Sequence, residues 1–275
     1  MTRSLPPALI AAGRISDSPL ARMKDLTREF AAVWAPSAQA ATRFARQLKA
    51  GEPVRLLADL AFAPLVVFHA PGVSLAPLVE RAARELSWEG RSALLWDDSL
   101  DSAALAPLAA QGALAASACL APDLGSPLAI LEGDRQAVRA GRRWLAAAAI
   151  PSLKLAPGGK TRFLASWAAA AACLLPLIEG VADGLESAGL APDRAKRLAA
   201  RWIDAGVAAY AFRHRGATSE QRLRLRDQSL RRGLESLAAH DPQLLGRYET
   251  VLASVAELLS RPWFAGLSNE PLRSI

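Results

Sequence analysis

The sequence predicts an α/β domain with a parallel sheet, followed by an all-α domain. Up to residue 157, short β-like runs alternate with helical stretches of about 10 to 15 residues, as in βαβ units. From Lys160 onward, no segment has a convincing strand pattern. Hydrophobic residues make up 52% of the chain and aromatic residues only 6%, and the abundant alanine favours helices around a large core. We therefore predict two domains, over 1–157 and 158–275.

The predicted strands are short apolar runs bounded by turn residues. The clearest is LVVFHAPG, a continuous apolar run ended by Pro-Gly, which is typical of a parallel strand buried on both faces. The full set is ALIAA (8–12), FAAVWA (30–35), LVVFHAPG (65–72), SALLW (92–96), ALAASAC (113–119), LAILEGD (128–134) and PSLKLA (151–156).

Helices are predicted between these strands. In SAQAATRFARQLKAG, Ser37 is placed as the N-cap and Gly51 as the C-cap glycine. The other predicted helices are LARMKDLTREF (20–30), LAPLVERAAREL (75–86), AALAPLAAQG (103–112) and DRQAVRAGRRWLAAA (134–148).

The second domain opens on the longest apolar stretch, FLASWAAAAACLLPLI (163–178). It is shorter than the roughly 20 residues that cross a bilayer and contains Pro176, so we predict a buried helix and no membrane span. Trp167 and Trp202 are expected to pack helix against helix. The segment 222–232 predicts an amphipathic helix with a basic side.

The net charge of +7 suits an anionic ligand. Nucleic-acid binding is not expected, because the basic segment has no interleaved aromatic residue to stack on bases. Cys119 and Cys173 lie in apolar surroundings, and the first residues contain no signal-like apolar run, which together indicate a cytoplasmic protein. His69, His214 and His240 lack metal-ligand spacing, so no metal site is expected.

The stretch ALIAAGRISDSPLAR (8–22) has the form of the first strand and phosphate-binding turn of a dinucleotide-binding domain. The three glycine positions of that pattern fall on Ala11, Gly13 and Ser16, so only the middle glycine is present. If a dinucleotide binds, the turn formed by Ala11, Gly13, Arg14 and Ile15 is predicted to contact it. The alternative, a simple turn glycine at position 13, stays open.

The end of the second strand lacks the acidic residue that reads the ribose of NAD. Ser37 and Arg43 are the side chains there that suit a ribose or a phosphate, so NADP is predicted as the cofactor in preference to NAD. His69 ends a buried strand at the edge where α/β domains bind ligands. It is a second candidate for cofactor contact, with a core histidine as the alternative.

Several segments spread along the chain resemble one family of bacterial proteins. They are AAGRIS (11–16), FHAPG (68–72), LDSAALAPLAAQGALAAS (100–117), AILEGD (129–134), GGKTRFLASWAAAAACLLPLIEGVADGLESAGL (158–190) and LRDQSLRRGLESLAAHDPQLLGRYETVLASVAELL (225–259). They resemble Rossmann-like proteins that carry domain of unknown function 2520 behind the nucleotide domain, relatives of pyrroline-5-carboxylate, ketopantoate and deazaflavin-dependent NADP reductases.

The resemblance implies a Rossmann-like domain and a helical domain like the C-terminal domain of 6-phosphogluconate dehydrogenase. It also implies a homodimer formed through the C-terminal helices, and Pro71 facing the cofactor.

The chain departs from this family at the positions that would line the cleft. Where the family has a histidine after the fourth strand, this chain has Asp97 and Asp98. It keeps a lysine, Lys160, at the start of the helical domain, but has Phe163 and Leu164 in place of a Tyr-His pair. We predict Asp97 as a proton donor and Lys160 as a cation that orients a carbonyl at the domain junction. The alternative for Lys160 is a surface lysine.

Two functions remain open from the sequence. The chain is either an NADP-binding oxidoreductase-like protein that acts on a small molecule, or a non-catalytic relative that keeps the fold as a binding or assembly module.

Overall fold

The computed structural model describes residues 5–14, 20, 23–70, 72–121, 127–212, 242, 243 and 246. The chain divides into two compact units, Met1–Ala168 and Ala169–Ile275. The boundary predicted at 157/158 stays a prediction. The predicted segment 222–232 and the residues His214 and His240 lie outside the described residues.

The first unit is built on one sheet of eight strands, counted over the described residues. In chain order they are β1 (Ala8–Ala11), β2 (Ala32–Trp34), β3 (Glu52–Val54), β4 (Leu65–His69), β5 (Ser92–Trp96), β6 (Leu114–Leu120), β7 (Ala129–Gly133) and β8 (Ser152–Lys154). The spatial order is β3-β2-β1-β4-β5-β6-β7-β8. All seven predicted strands are confirmed, and so is the fold class of a parallel sheet domain followed by helices.

The helices of this unit are α1 (Lys24–Thr27), α2 (Ala38–Leu48), α3 (Gly72–Glu85), α4 (Ala106–Ala109) and α5 (Arg135–Ala147). Short 3₁₀ turns cover Leu57–Leu60 and Ser102–Leu105. The helix predicted over 20–30 is reduced, in its described part, to α1.

Two features of the sheet differ from the prediction. Strand β3, with the sequence EPV, was not predicted; Pro53 cannot donate a ladder hydrogen bond and is tolerated because β3 lies at the edge. Strand β7 runs antiparallel to β6, a reversal that the prediction of a parallel sheet did not include. The eight residues that connect β6 to β7 are too few for a parallel crossover, which takes about a dozen or more.

The capping of α2 is predicted correctly at one end only. Ser37 is the N-cap, and its side chain accepts a hydrogen bond from Ala40 N. At the other end, Lys49 is the C-cap and adopts the left-handed conformation, so the prediction of Gly51 as the cap is wrong. Gly51 has a different role: its φ is +77°, and a Cβ there would lie 2.6 Å from Val33 Cγ2.

Both faces of the sheet are buried. Leu9, Val67 and Leu94 belong to a core on the face that also holds residues of α2 and α5. Their neighbours along the strands, such as Ile10 and Phe68, belong to a core on the opposite face together with residues of α3. This alternation confirms helices on both faces.

Helix α6 (Gly159–Ser187) begins in the first unit, and α7 (Pro192–Phe212) belongs to the second. A small core of the second unit contains Ala182, Ala195 and Ala199. The helix predicted over 163–178 is confirmed as part of α6, but the prediction that it is buried is wrong, since residues 165–170 are exposed.

The two tryptophans expected to pack helix against helix are exposed as well, Trp167 by 38% and Trp202 by 56%. Among the described helices, none has the length and apolarity that a membrane span requires. Residues 165–170 of the apolar stretch therefore form a surface of α6 that no other described residue covers.

Candidate active site

The strand order reverses between β1 and β4, because β2 and β3 continue from one side of β1 and the later strands from the other. In open α/β sheets, ligands bind at the carboxyl ends of the strands at such a point. Here β1 leads into Gly13, which has a φ of +80° and is exposed, as is Arg14. A 2.9 Å hydrogen bond from Ala12 N to His69 O connects the turn to the neighbouring strand β4.

His69 lies in a row across three neighbouring strands. It pairs with Ala11 on β1, and its Nδ1 lies 3.4 Å from the carbonyl oxygen of Trp96 on β5. Burial lowers the pKa of His69, although the Trp96 carbonyl and the charges of Asp97 and Asp98 oppose this effect. The imidazole is therefore neutral at neutral pH, and the half-buried ring lies at the carboxyl end of β4.

Trp96 carries an unusual polar atom. The residue is buried, and its Nε1 has no hydrogen-bond partner among the described residues. Its ring meets Trp144 edge-on, with the centroids 5.8 Å apart. Buried indole N–H groups normally find an acceptor, so this donor is uncompensated within the described structure.

Asp97 follows β5 and organises the turn after it. Its Oδ1 accepts hydrogen bonds from Ser99 N (2.7 Å), Ser99 Oγ (2.8 Å) and Leu100 N (2.7 Å). Burial favours the neutral acid, but these hydrogen bonds and the charge of Lys160 outweigh it and lower the pKa of Asp97. An ionised carboxylate that caps a turn gives no support to the prediction of a proton donor here.

Asp98 behaves in the opposite way. Burial and the adjacent charge of Asp97 raise the pKa of Asp98, while the charges of Lys160 and His69 act against the rise. The two neighbouring carboxyl groups therefore differ in protonation tendency, and Asp98 is the better proton donor of the two.

Lys160 is the second residue of α6 and is completely buried. The alternative of a surface lysine is therefore wrong. Its Nζ donates a 2.9 Å hydrogen bond to the carbonyl oxygen of Asp97. Burial lowers the pKa of Lys160, and the charges around it, among them Asp97 and Glu132, partly offset this. Lys160 and the predicted Asp97 are thus brought together by a direct contact.

Glu132 was not predicted as a site residue, although it is a charged residue inside the apolar run LAILEGD. Its side chain is completely buried in β7. The carboxylate accepts hydrogen bonds from Ser117 Oγ, from Ser102 N (2.7 Å) and Oγ (3.1 Å), and from Gly158 N (2.8 Å). Burial alone would raise the pKa of Glu132, but these donors lower it.

The remaining predicted residues are not gathered at one point. The hydroxyl of Ser37 is occupied by the cap of α2. Arg43 lies six residues later on α2, about 9 Å further along the helix axis, and its guanidinium lies 5.7 Å from the centre of the Phe44 ring. Ile15 and Pro71 lie outside the described residues. Within the described chain, no three His, Cys, Asp or Glu side chains are grouped as metal ligands.

Comparison with known proteins identifies relatives by structure alone. No protein-family model matches the chain. No curated protein matches it by sequence either.

Three of the similar solved structures are reductases. An imine reductase from Aspergillus terreus, solved with NADPH4, is 14% identical, covers 98% of both chains and has a TM-score of 0.63. A reductive aminase from the same organism, solved with NADPH and ethyl levulinate, is 13% identical over 94% of this chain and 95% of its own, with a TM-score of 0.59. A pyrroline-5-carboxylate reductase from Coxiella burnetii is 12% identical over 90% of this chain and 98% of its own, with a TM-score of 0.54. At these identities the likeness establishes the fold, a Rossmann-like domain followed by a helical one.

Proposed function

We propose that this chain binds a nicotinamide dinucleotide, NADP in preference to NAD, and acts as an oxidoreductase on a small molecule. One observation supports the proposal: Gly13 follows β1 and Lys160 contacts the segment after β5, so both lie at the carboxyl edge of the sheet. Gly13 adopts a positive φ at the point of strand reversal, and the buried Lys160 is fixed on Asp97 after β5. The NADPH complexes of the similar reductases support the choice of cofactor.

The turn after β1 suits the phosphates. Gly13 has no side chain to keep a pyrophosphate from the main chain, and the exposed Arg14 can supply positive charge. The adenosine end is less well matched, because Ser37 caps α2 and Arg43 lies well along that helix. The bound nicotinamide would supply a hydride, and the chain itself supplies orientation and a proton.

Asp98 is the proton donor in this proposal, and Lys160 is the cation that orients the substrate. Partial burial and the charge of Asp97 raise the pKa of the exposed Asp98, and a shift in this direction favours a proton donor. Lys160 holds its ammonium against a main-chain carbonyl, which fixes its direction. Asp97 positions this pair by capping the turn.

The second candidate is a non-catalytic relative. It is favoured by the complete burial of Lys160 and by the alanine at position 11, where the dinucleotide pattern has its first glycine. In that case the buried charges serve only to hold the fold.

Beyond the site, we propose that the chain belongs with the proteins carrying domain of unknown function 2520, works in the cytoplasm and forms a homodimer through its helical part. Trp167 and Leu174, seven residues apart and so on one face of α6, are both exposed. Light scattering of the wild-type chain and of Leu174→Glu tests the dimer; the variant is expected to be monomeric, and a monomeric wild-type chain would contradict the proposal.

Thermal unfolding with NADPH, NADP, NADH and NAD tests the cofactor. A ligand at about 100 times its Kd stabilises by about 2.7 kcal/mol, which raises the Tm by roughly 5 to 10 °C at this chain length. We expect this rise with NADPH and a smaller one with NADH.

Two glycine variants locate the binding. Gly13→Val should abolish the rise. Gly90→Val is the matched control, because Gly90 also has a positive φ (+68°), has open space around it and lies before β5 at the amino edge. No rise with any dinucleotide at millimolar concentration would favour the non-catalytic relative.

A further inference from the structure

We propose that Glu132 is a positioning residue that fixes Lys160 at the carboxyl edge of the sheet and balances its charge. As far as Lys160 acts on a substrate, this rests on the function proposed above. The arrangement itself stands on contacts of the first unit alone.

The location of Glu132 follows from the reversed direction of β7. Antiparallel pairing with β6 places Glu132 directly opposite Ser117, and Ser117 Oγ donates a hydrogen bond to the carboxylate. Both residues are completely buried. Gly133, which follows, has a φ of +117°, and a Cβ there would lie 2.6 Å from Ala115 O, so the chain can pass this point only with glycine.

The carboxylate joins two segments that are distant in sequence. It accepts hydrogen bonds from both N and Oγ of Ser102, in the turn after β5, and from Gly158 N, two residues before Lys160. Lys160 in turn donates to the carbonyl of Asp97, at the start of the segment that reaches Ser102. The contacts close a ring, so Glu132 holds the main chain next to Lys160 close to the turn after β5.

The chemistry of these contacts selects a carboxylate. A buried carboxylate is costly unless it is well bonded, and Glu132 receives four hydrogen bonds. An amide of the same size has one acceptor oxygen and an NH₂ group, so at least one of the donors, Gly158 N or Ser102 N, would then face another N–H.

Charge balance points the same way. Among the described residues, Glu132 and Lys160 are the two charged side chains that are buried, and their charges are opposite. The other groups that act on Lys160 are Cys119, Asp97 and Asp98. Burial raises the pKa of Cys119 to about 11, so this thiol carries no charge at neutral pH. Asp97 and Asp98 follow β5 and are both more accessible to solvent than Glu132.

Lysine NMR tests the proposal without cofactor or turnover. The chain contains only five lysines, Lys24, Lys49, Lys154, Lys160 and Lys196, so the ¹³Cε signals of selectively labelled protein can be assigned with Lys160→Met. In Glu132→Gln, the pKa of Lys160 is expected to fall by about 1 or more, because an opposite charge is lost from its surroundings. The matched control is Glu85→Gln, an exposed carboxylate paired with Arg81, which should leave the Lys160 titration unchanged.

Glu132→Asp separates position from charge, and it also serves if Glu132→Gln does not fold. It keeps the charge but withdraws the carboxylate from Gly158 N by one methylene. We expect the Gly158 amide signal to move upfield and the pKa of Lys160 to fall by less than in Glu132→Gln. An unchanged Lys160 titration together with an unchanged Gly158 signal, in whichever variant folds, overturns the proposal.

The outcomes keep this proposal apart from the proposed function. If no dinucleotide binds but the Lys160 titration responds to Glu132, the positioning is right and the oxidoreductase function is wrong. If NADPH binds and Lys160 does not respond, the positioning role alone is wrong.

Discussion

The two edges of the sheet each hold a buried or half-buried cation, and the two cations are bonded in different ways. At the amino edge, Arg91 precedes β5 and donates hydrogen bonds to the carbonyls of Leu60, Ala63 and Ser87. Its guanidinium also lies 5.5 Å from the centre of the Trp88 ring. At the carboxyl edge, Lys160 makes one hydrogen bond within the described residues, to Asp97 O, although an ammonium has three donors.

The difference separates a structural cation from a candidate functional one. Arg91 uses its donors on main-chain carbonyls around the start of β5. Lys160 keeps donor capacity and lies among carboxylates with shifted pKa values, the pattern that functional sites show. A large cavity does not by itself mark the functional edge of the sheet. The amino edge, which holds the structural Arg91, has a cavity of about 680 Å³. This cavity is lined by the exposed side chains of Arg135, Arg139 and Arg143.

The largest expected effect is on turnover in Lys160→Met. With an imine or ketone that the wild-type chain reduces, we expect the NADPH oxidation rate to fall about 100-fold or more, the typical contribution of a positioned polar catalyst. The Tm should fall as well, because the substitution leaves the buried carboxylate of Glu132 without an opposite charge, so turnover is measured well below the Tm of the variant. Undiminished turnover in this variant would mean that Lys160, like Arg91, is a structural cation.

Arg91→Ala should show the converse behaviour. Hydrogen bonds from charged groups contribute about 1.5–3 kcal/mol each, and solvent access reduces this at a half-exposed site, so we expect a loss of about 2–4 kcal/mol. The corresponding fall in Tm is roughly 5 to 12 °C. The Kd for NADPH, measured well below the Tm, should equal that of the wild-type chain. Weaker NADPH binding by Arg91→Ala at an unchanged Tm would mean that Arg91, and not Lys160, is the functional cation.

Acid sensitivity should originate at the carboxyl edge. Because the folded-state pKa of Glu132 lies below its ordinary value of 4.5, the folded chain binds fewer protons than the unfolded chain. The stabilisation is fully present above pH 4.5 and is lost as the pH falls through the folded value. Urea unfolding at several pH values from about 6 down to 3 should show a shallower acid limb in Glu132→Gln than in wild type. Equal limbs would mean that the pKa of Glu132 is the same in the folded and the unfolded chain.

The sheet could be predicted because its strands are continuous apolar runs, and a central strand such as LVVFH is recognisable without its neighbours. Strand β3 was missed since it is three residues long, polar and at the edge. The prediction that residues 163–178 are buried was wrong because composition indicates that a helix is apolar but not which residues cover it.

The site was predictable only in part, for a related reason. His69 ends β4 and Asp97 follows β5, so the convergence of strand ends at one edge of the sheet locates them. Glu132 takes its meaning from Ser117 and Gly158, which are 15 and 26 residues away, and no local pattern encodes those contacts. The same holds for the burial of Lys160, because the sequence alone left a surface lysine open as the alternative.

The smallest expected effect compares two buried tryptophans, one at each edge. Trp88 Nε1 donates a 2.9 Å hydrogen bond to Ala82 O, whereas Trp96 Nε1 has no acceptor within the described residues. Replacement by phenylalanine removes similar volume at both sites, so the loss of packing is similar. Trp88→Phe also removes a hydrogen bond to Ala82 O, although this carbonyl keeps its bond from Leu86 N. Trp96→Phe removes a donor that was already unsatisfied. Trp88→Phe should therefore be less stable in urea unfolding than Trp96→Phe by about 1 kcal/mol. If Trp96→Phe were the less stable variant, the Trp96 indole would have a polar partner in solution, and its effect on the Kd for NADPH would show whether that partner is the cofactor.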